Sequence, residues 1–139
     1  MSAKIDLAHV RVILHKPRYP ENIGAAARAV RNMGISRLDI VQPENPLEDR
    51  IRMMATHAAV DVVDRMVTFD HLADALNDCQ YVVGTTARLG GQRQKVLNPG
   101  TMARQLIPIS RENEVAVVFG PEDRGLTNED LRFCHGLIN

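Results

Sequence analysis

Three short stretches of this 139-residue chain set polar or charged side chains beside glycine in patterns that an ordinary connection does not need. In Pro20-Glu-Asn-Ile-Gly-Ala-Ala-Ala-Arg-Ala29, Asn22 reads as the N-cap of a helix. Gly24 removes a side chain one turn before Arg28, and the free N–H groups of a helix start favour an anion. The same residues also suit a plain capped surface helix whose Ala25, Ala26 and Ala27 pack on a sheet. In Gly84-Thr-Thr-Ala-Arg88, the hydroxyls of Thr85 and Thr86 beside Ala87 can hydrogen-bond a nucleoside, although such residues also stabilise turns locally. Arg93 and Lys95 follow on a Gly90-Gly91 hinge, either in a substrate flap or in a solvated loop. In Phe119-Gly-Pro-Glu-Asp-Arg-Gly-Leu126, Gly120 lets a ligand approach the backbone, and Glu122 can pair with an arginine or orient a polar ligand.

These stretches need strands behind them, and the pattern supplies strands. Residues 9–15 are apolar and β-branched, 36–41 and 80–84 similarly so, and 115–119 are almost wholly apolar, as in the centre of a parallel sheet. Residues 66–69 read as a short strand or extended link. Helical patterns fall over 23–33, with Gly34 as the C′ residue, over 48–59 and over 70–78. Pro99 opens another helix to about Leu106, and Thr127-Asn-Glu-Asp130 has the form of a capping box before a last helix. Strands separated by helices predict a doubly wound α/β parallel sheet, whose ligands gather beyond the carboxyl ends of the strands.

Composition narrows the classes. With 45% hydrophobic residues the chain is globular, and no apolar run approaches the roughly 20 residues that span a bilayer. Residues 1–14 carry no signal-peptide pattern, so a cytoplasmic setting is the default. Cys79 and Cys134 have no metal-type spacing, the five histidines form no metal motif, and no metal is expected. His15, at a strand end, reads as structural. There is no Gly-x-Ser-x-Gly elbow, no phosphate loop and no Gly-x-Gly-x-x-Gly turn, which disfavours a nicotinamide dehydrogenase. The formal net charge of zero hides four blocks: +5 over residues 1–38, −6 over 39–82, +5 over 83–111 and −4 over 112–139. The two basic blocks hold the loops described above, so neutrality overall does not exclude a nucleic-acid partner.

Taken together, the stretches resemble the SpoU-type (TrmH/TrmJ-like) RNA ribose 2′-O-methyltransferases of the SPOUT superfamily. The match runs through Pro20 to Ala29, Asn32-Met-Gly34, Gly84-Thr-Thr-Ala-Arg88 and Val118-Phe-Gly-Pro-Glu-Asp-Arg-Gly-Leu-Thr-Asn-Glu-Asp-Leu131. The resemblance implies a Rossmann-like SPOUT (α/β knot) fold, S-adenosylmethionine as cofactor, tRNA or rRNA as substrate and a homodimer. It implies that Arg28 sits at the ribose hydroxyl as an electrostatic stabiliser, because a guanidinium is too basic to act as a general base. Asn22 would orient Arg28 or the ribose, and Glu122 would hold Arg28. Thr85, Thr86, Ala87 and the Gly120 backbone would bind the cofactor, and Arg18, Arg31, Arg88, Arg93 and Lys95 would contact RNA.

One departure matters. The family's third motif, a Ser-Leu-Asn stretch and a helix that complete the knot and cofactor pocket, has no counterpart before Asn139. The expectation is a single domain over residues 1–139 that stops short of that motif. The rival expectation is a non-catalytic RNA-binding or dimerisation module; a flavodoxin-like nucleotide binder fits the Arg28 and Glu122 motifs poorly.

Overall fold

The computed structural model describes residues 4–86 and 95–139. Among them, seven strands form one wholly parallel sheet in the order β3-β2-β1-β6-β4-β7-β5. The strands are β1 (Val10–His15), β2 (Leu38–Val41), β3 (Thr68–Phe69), β4 (Tyr81–Thr85), β5 (Val96–Leu97), β6 (Val115–Phe119) and β7 (Gly136–Ile138). The helices are α1 (Pro20–Met33), α2 (Glu48–Ala55), α3 (Val60–Arg65), α4 (Leu72–Ala75), α5 (Pro99–Glu112) and α6 (Asn128–Leu131). This is the α/β architecture expected from the alternating pattern.

Side chains alternate across a strand, so each buried strand feeds two cores. Val10, Val12, Leu38, Ile40, Val83 and Val115 join Ile23, Ala27 and Val30 of α1, Ile51 of α2, Val62 of α3 and Met102 of α5 on one face. Ile13, Val41, Val82, Ala116, Val118 and Leu137 join Leu72 of α4 and Leu131 of α6 on the other. Two charged residues lie in this frame. Arg11 is buried and grips Asp78 through two bonds, of 2.8 and 3.2 Å, and Glu114 at 3.3 Å, tying β1 to the segments before β4 and β6. Asp39, fully buried in β2, accepts from Arg37 Nε at 2.9 Å and from the Val67 N–H at 3.1 Å, which draws in the chain leading to β3.

Several local expectations are corrected. α1 begins at Pro20, whose ring pre-sets the first helical position, so Tyr19 is the N-cap and Asn22 lies inside the first turn. The single helix expected over 48–59 breaks at Thr56, where φ is 60° and the hydroxyl accepts from the Ala58 N–H; a 3₁₀ turn (His57–Ala59) and α3 follow. α5 continues past Pro108 to Glu112, with the Ser110 hydroxyl and the Asn113 amide donating to the carbonyls of Ile107 and Ile109. β5 falls inside residues 86–98, a polar stretch whose Gly90-Gly91 pair makes it read as one long loop. The αL glycine at position 34 (φ 88°) and both bonds of the Thr127–Asp130 capping box are as expected.

Gly24 has a different role from the one its sequence suggests. A Cβ there would lie 2.3 Å from the Ile51 carbonyl oxygen and 2.7 Å from Met54 Cβ, so the space it leaves is filled by α2 and not by a ligand. Replacing a helical glycine by alanine normally stabilises by up to about 1 kcal/mol. At this position the close approach reverses the sign: Gly24→Ala should destabilise by about 1–3 kcal/mol, read as a lower midpoint in urea unfolding.

Candidate functional site

Parallel strands deliver their following loops to one end of the sheet. The strand order reverses direction where β1, β6 and β4 lie side by side, and ligand crevices form at such a point. A cleft of about 760 Å³ opens there. Leu14 and Phe119 line it from the ends of β1 and β6, Thr85 and Thr86 from the end of β4, and residues 120–125 from the turn after β6. Pro17, Asn22 and Asn139 complete the lining. The apolar contribution of Leu14, Phe119 and Pro121 escaped the reading by motif; the signal was an aromatic closing the apolar run at Val115–Phe119.

The wall is held by one carboxylate. Glu122 accepts from the Arg18 N–H at 2.9 Å, the Tyr19 N–H at 3.3 Å and the Asn22 side-chain amide at 2.8 Å. Partial withdrawal from water alone would raise its pKa, but these donors outweigh that and hold the group below the usual carboxylate range. The chain reaches the clamp because Lys16 adopts φ 55° directly after β1 and turns it sharply. Asn22 and Glu122 are therefore brought together as expected, but as partners of each other. Neither contacts Arg28, which corrects the expectation that Glu122 holds it.

Arg28 is exposed on α1, its side chain forms no hydrogen bond or ion pair among the described residues, and it is not part of the cleft lining. It lies one turn after Ala25 on the exposed side of α1, about 120° round the helix from Asn22, and the Cα–Cβ bonds of a helix lean toward its N-terminus, here the cleft end. Thr85 and Thr86 both line the cleft; the Thr85 hydroxyl donates to the Val118 carbonyl at 3.1 Å, and the Thr86 N–H donates to the Ile138 carbonyl. Gly120 lines the cleft too, but a Cβ there would strike the backbone of Gly125 and Leu126 at 2.3–2.4 Å. Closure of its own turn is enough to require the glycine.

The basic residues divide. Arg18 pairs with Asp123 at 2.9 Å and Glu44 at 3.3 Å, and Arg31 pairs with Asp61 at 3.4 Å. Lys95 is exposed without an ion pair among the described residues. Ala87, Arg88 and Arg93 lie outside the described residues. Beneath the cleft, the buried His15 lies with Nδ1 3.3 Å from Asp130. Burial, aided by Lys16, lowers its pKa against the pull of Asp130, so the ring is neutral near pH 7. Among the described residues, no three His, Cys, Asp or Glu side chains are grouped to hold a metal ion, and no helix is long and apolar enough to cross a membrane.

Comparison with known proteins adds an independent line. The model of the SpoU rRNA Methylase family matches residues 9–139. The chain is 41% identical over 130 residues to the tRNA (cytidine/uridine/adenosine-2'-O-)-methyltransferase TrmJ of Pseudomonas aeruginosa, covering 92% of this chain and 50% of that protein. It is 34% identical over 129 residues to the tRNA (cytidine/uridine-2'-O-)-methyltransferase TrmJ of Escherichia coli, covering 93% and 53%. The crystal structure of TrmJ from Z. mobilis ZM4 superposes with a TM-score of 0.85 at 32% identity, over 93% of this chain and 57% of that one. The chain spans about half the length of the curated relatives it matches.

The clamp is open to a direct test. In Glu122→Gln an amide donor replaces one acceptor facing three N–H groups, so amide exchange at Arg18 and Tyr19 should speed up by about tenfold or more. In the parent chain the stabilisation from a depressed carboxylate pKa is present above the ordinary value and lost as pH falls through the folded value. Acidification should therefore shift the Arg18 and Tyr19 amide resonances together, and that coupled shift should vanish in Glu122→Gln.

Proposed function

The chain belongs to the SpoU rRNA Methylase family, and from that premise we propose that its cleft takes S-adenosylmethionine for methylation of a ribose 2′-hydroxyl of RNA, with tRNA the first substrate to test and rRNA the second. The observation that carries the reading is the convergence of Asn22, Thr85, Thr86, Gly120 and Glu122 on one cleft at the switch point of the sheet. They come from three separate stretches of the chain. Relatives named as tRNA 2′-O-methyltransferases support tRNA as the substrate class and a cytoplasmic setting.

The cleft suits the cofactor in size and lining. Its volume falls within the 300–1,000 Å³ range of small-molecule sites, and it joins an apolar floor to hydroxyl and backbone polar groups. Thr85, Thr86 and the backbone of the turn at Gly120 would hold the cofactor, with Ala87, the next residue in sequence, assigned to it from the motif alone. When bound, S-adenosylmethionine supplies a methyl group already activated by its sulfonium sulfur. The chain's own part is positioning and electrostatics. Arg28 carries a cation with no carboxylate partner among the described residues, so its field is free to stabilise an oxyanion developing at the ribose. Asn22 and Glu122 act as one unit that fixes the segment bearing Arg18 and Tyr19.

RNA contact falls in this reading to Arg28 and Lys95 first, with Arg88 and Arg93 beside Lys95 in sequence. Arg18 and Arg31 must exchange a carboxylate partner for a phosphate before they contribute. A second copy of the chain completes the proposal, with the exposed Phe133 after α6 as a candidate contact between protomers.

Calorimetric titration with S-adenosylmethionine decides between this reading and a binding module: heat with micromolar affinity supports the enzyme, and none supports the module. Arg28→Ala should lower tritiated methyl transfer to unmodified tRNA by about a hundredfold or more while leaving cofactor affinity within about twofold. Lost cofactor binding with turnover retained per bound cofactor contradicts the role given to Arg28.

A further inference from the structure

Pro17 and Asn22 line the first cleft, and the four residues between them line a second. This cleft of about 540 Å³ is bounded by Arg18, Tyr19, Pro20 and Glu21 on one side and by Glu44, Asn45, Leu47 and Arg50 on the other. It stands beside the first cleft, on the same segment that Glu122 holds in place.

Its chemistry points to one kind of occupant. Both guanidinium groups are already met by carboxylates, Arg18 by Glu44 at 3.3 Å and Arg50 by Glu21 at 3.1 Å. A phosphate entering here meets two anions. A neutral planar group meets something better: Tyr19 is 50% exposed, Leu47 is 47% exposed, and Asn45 offers a donor and an acceptor for an edge. The Arg18 guanidinium lies 5.5 Å from the Tyr19 ring centroid, which steadies the ring by a cation–π contact. Tyr19 serves as the N-cap of α1 without a side-chain capping bond, so its exposed ring is not explained by the helix.

We propose that this second cleft binds a nucleobase of the RNA substrate, stacked on Tyr19, beside the cleft that takes the cofactor. The inference rests on the reading of the substrate as RNA and adds a subsite to it. Base–aromatic stacking tolerates any base, so the subsite contributes affinity and register more than sequence choice.

Tyrosine emission reports on it directly. The chain has two tyrosines and no tryptophan, and Tyr81 is already stacked on His135 at 5.3 Å. In a Tyr81→Phe background, single-stranded oligoadenylate should quench the remaining emission, and inorganic polyphosphate of similar charge should not. Measured by anisotropy of a labelled oligonucleotide, Tyr19→Ala should weaken binding by about tenfold, and Tyr19→Phe by less than about twofold. Equal quenching by polyphosphate, or Tyr19→Ala binding as tightly as the parent, overturns the subsite and leaves RNA as the substrate. Failure of the parent chain to bind either oligoadenylate or unfractionated tRNA overturns both readings.

Discussion

A parallel sheet covered on both faces leaves a chain very few places to put reactive side chains. Its interior strands are apolar over most of both sides, as β6 is, and parallel neighbours are joined by crossovers and not by tight hairpins. Polar chemistry is thereby driven to the strand ends, and parallel direction makes it the same end every time. That single constraint gathers the loops after β1, β4 and β6 into one cleft, although their residues are dispersed from Leu14 to Gly125. Glu122 completes the arrangement by binding the loop after β6 to the start of α1, so the wall of the cleft is fixed by hydrogen bonds between segments about a hundred residues apart.

The charge pattern is resolved in space in a way the linear sequence conceals. The basic segment at the start of the chain is matched by acids of the other blocks: Arg11 by Asp78 and Glu114, Arg18 by Glu44 and Asp123, Arg31 by Asp61 and Arg37 by Asp39. What reads as a basic patch is mostly a set of ion pairs. The exposed pairs contribute little to stability, typically 0–1 kcal/mol. They nevertheless confine unopposed positive charge to a few positions, Arg28 and Lys95 among them. Electrostatics of this kind favour orientation over bulk attraction, and stacking and shape must then supply much of any grip on a nucleic acid.

Legibility differed from element to element for physical reasons. β6, the αL glycine at position 34 and the capping box at Thr127 and Asp130 were readable because their signals are local: an apolar run, a backbone conformation, a hydrogen-bond pair three residues apart. The gathering of Asn22, Thr85, Thr86, Gly120 and Glu122 was readable once strands and motif loops were assigned. The partners were not. Gly24 answers to α2, Gly120 to Gly125, and Glu122 to the segment before α1, all contacts set by tertiary structure. Thr56 and Pro108 misled in opposite directions. One ends a helix where the pattern ran on, and the other sits inside a helix where the pattern stopped.

The position of β7 has a consequence for how the molecule is made. β4 and β5 are successive strands of the chain, yet β7 lies between them, and among the described residues β5 has no other strand neighbour. Synthesis proceeds from the amino terminus, so β5 leaves the ribosome with its partner still unmade. Through the translation of α5, β6 and α6 it is an open edge, the kind of surface that invites pairing with a foreign strand. The slot beside β4 must stay vacant for the same interval. The sheet is therefore sealed from the inside only when β7, made after α6, takes its place between β4 and β5.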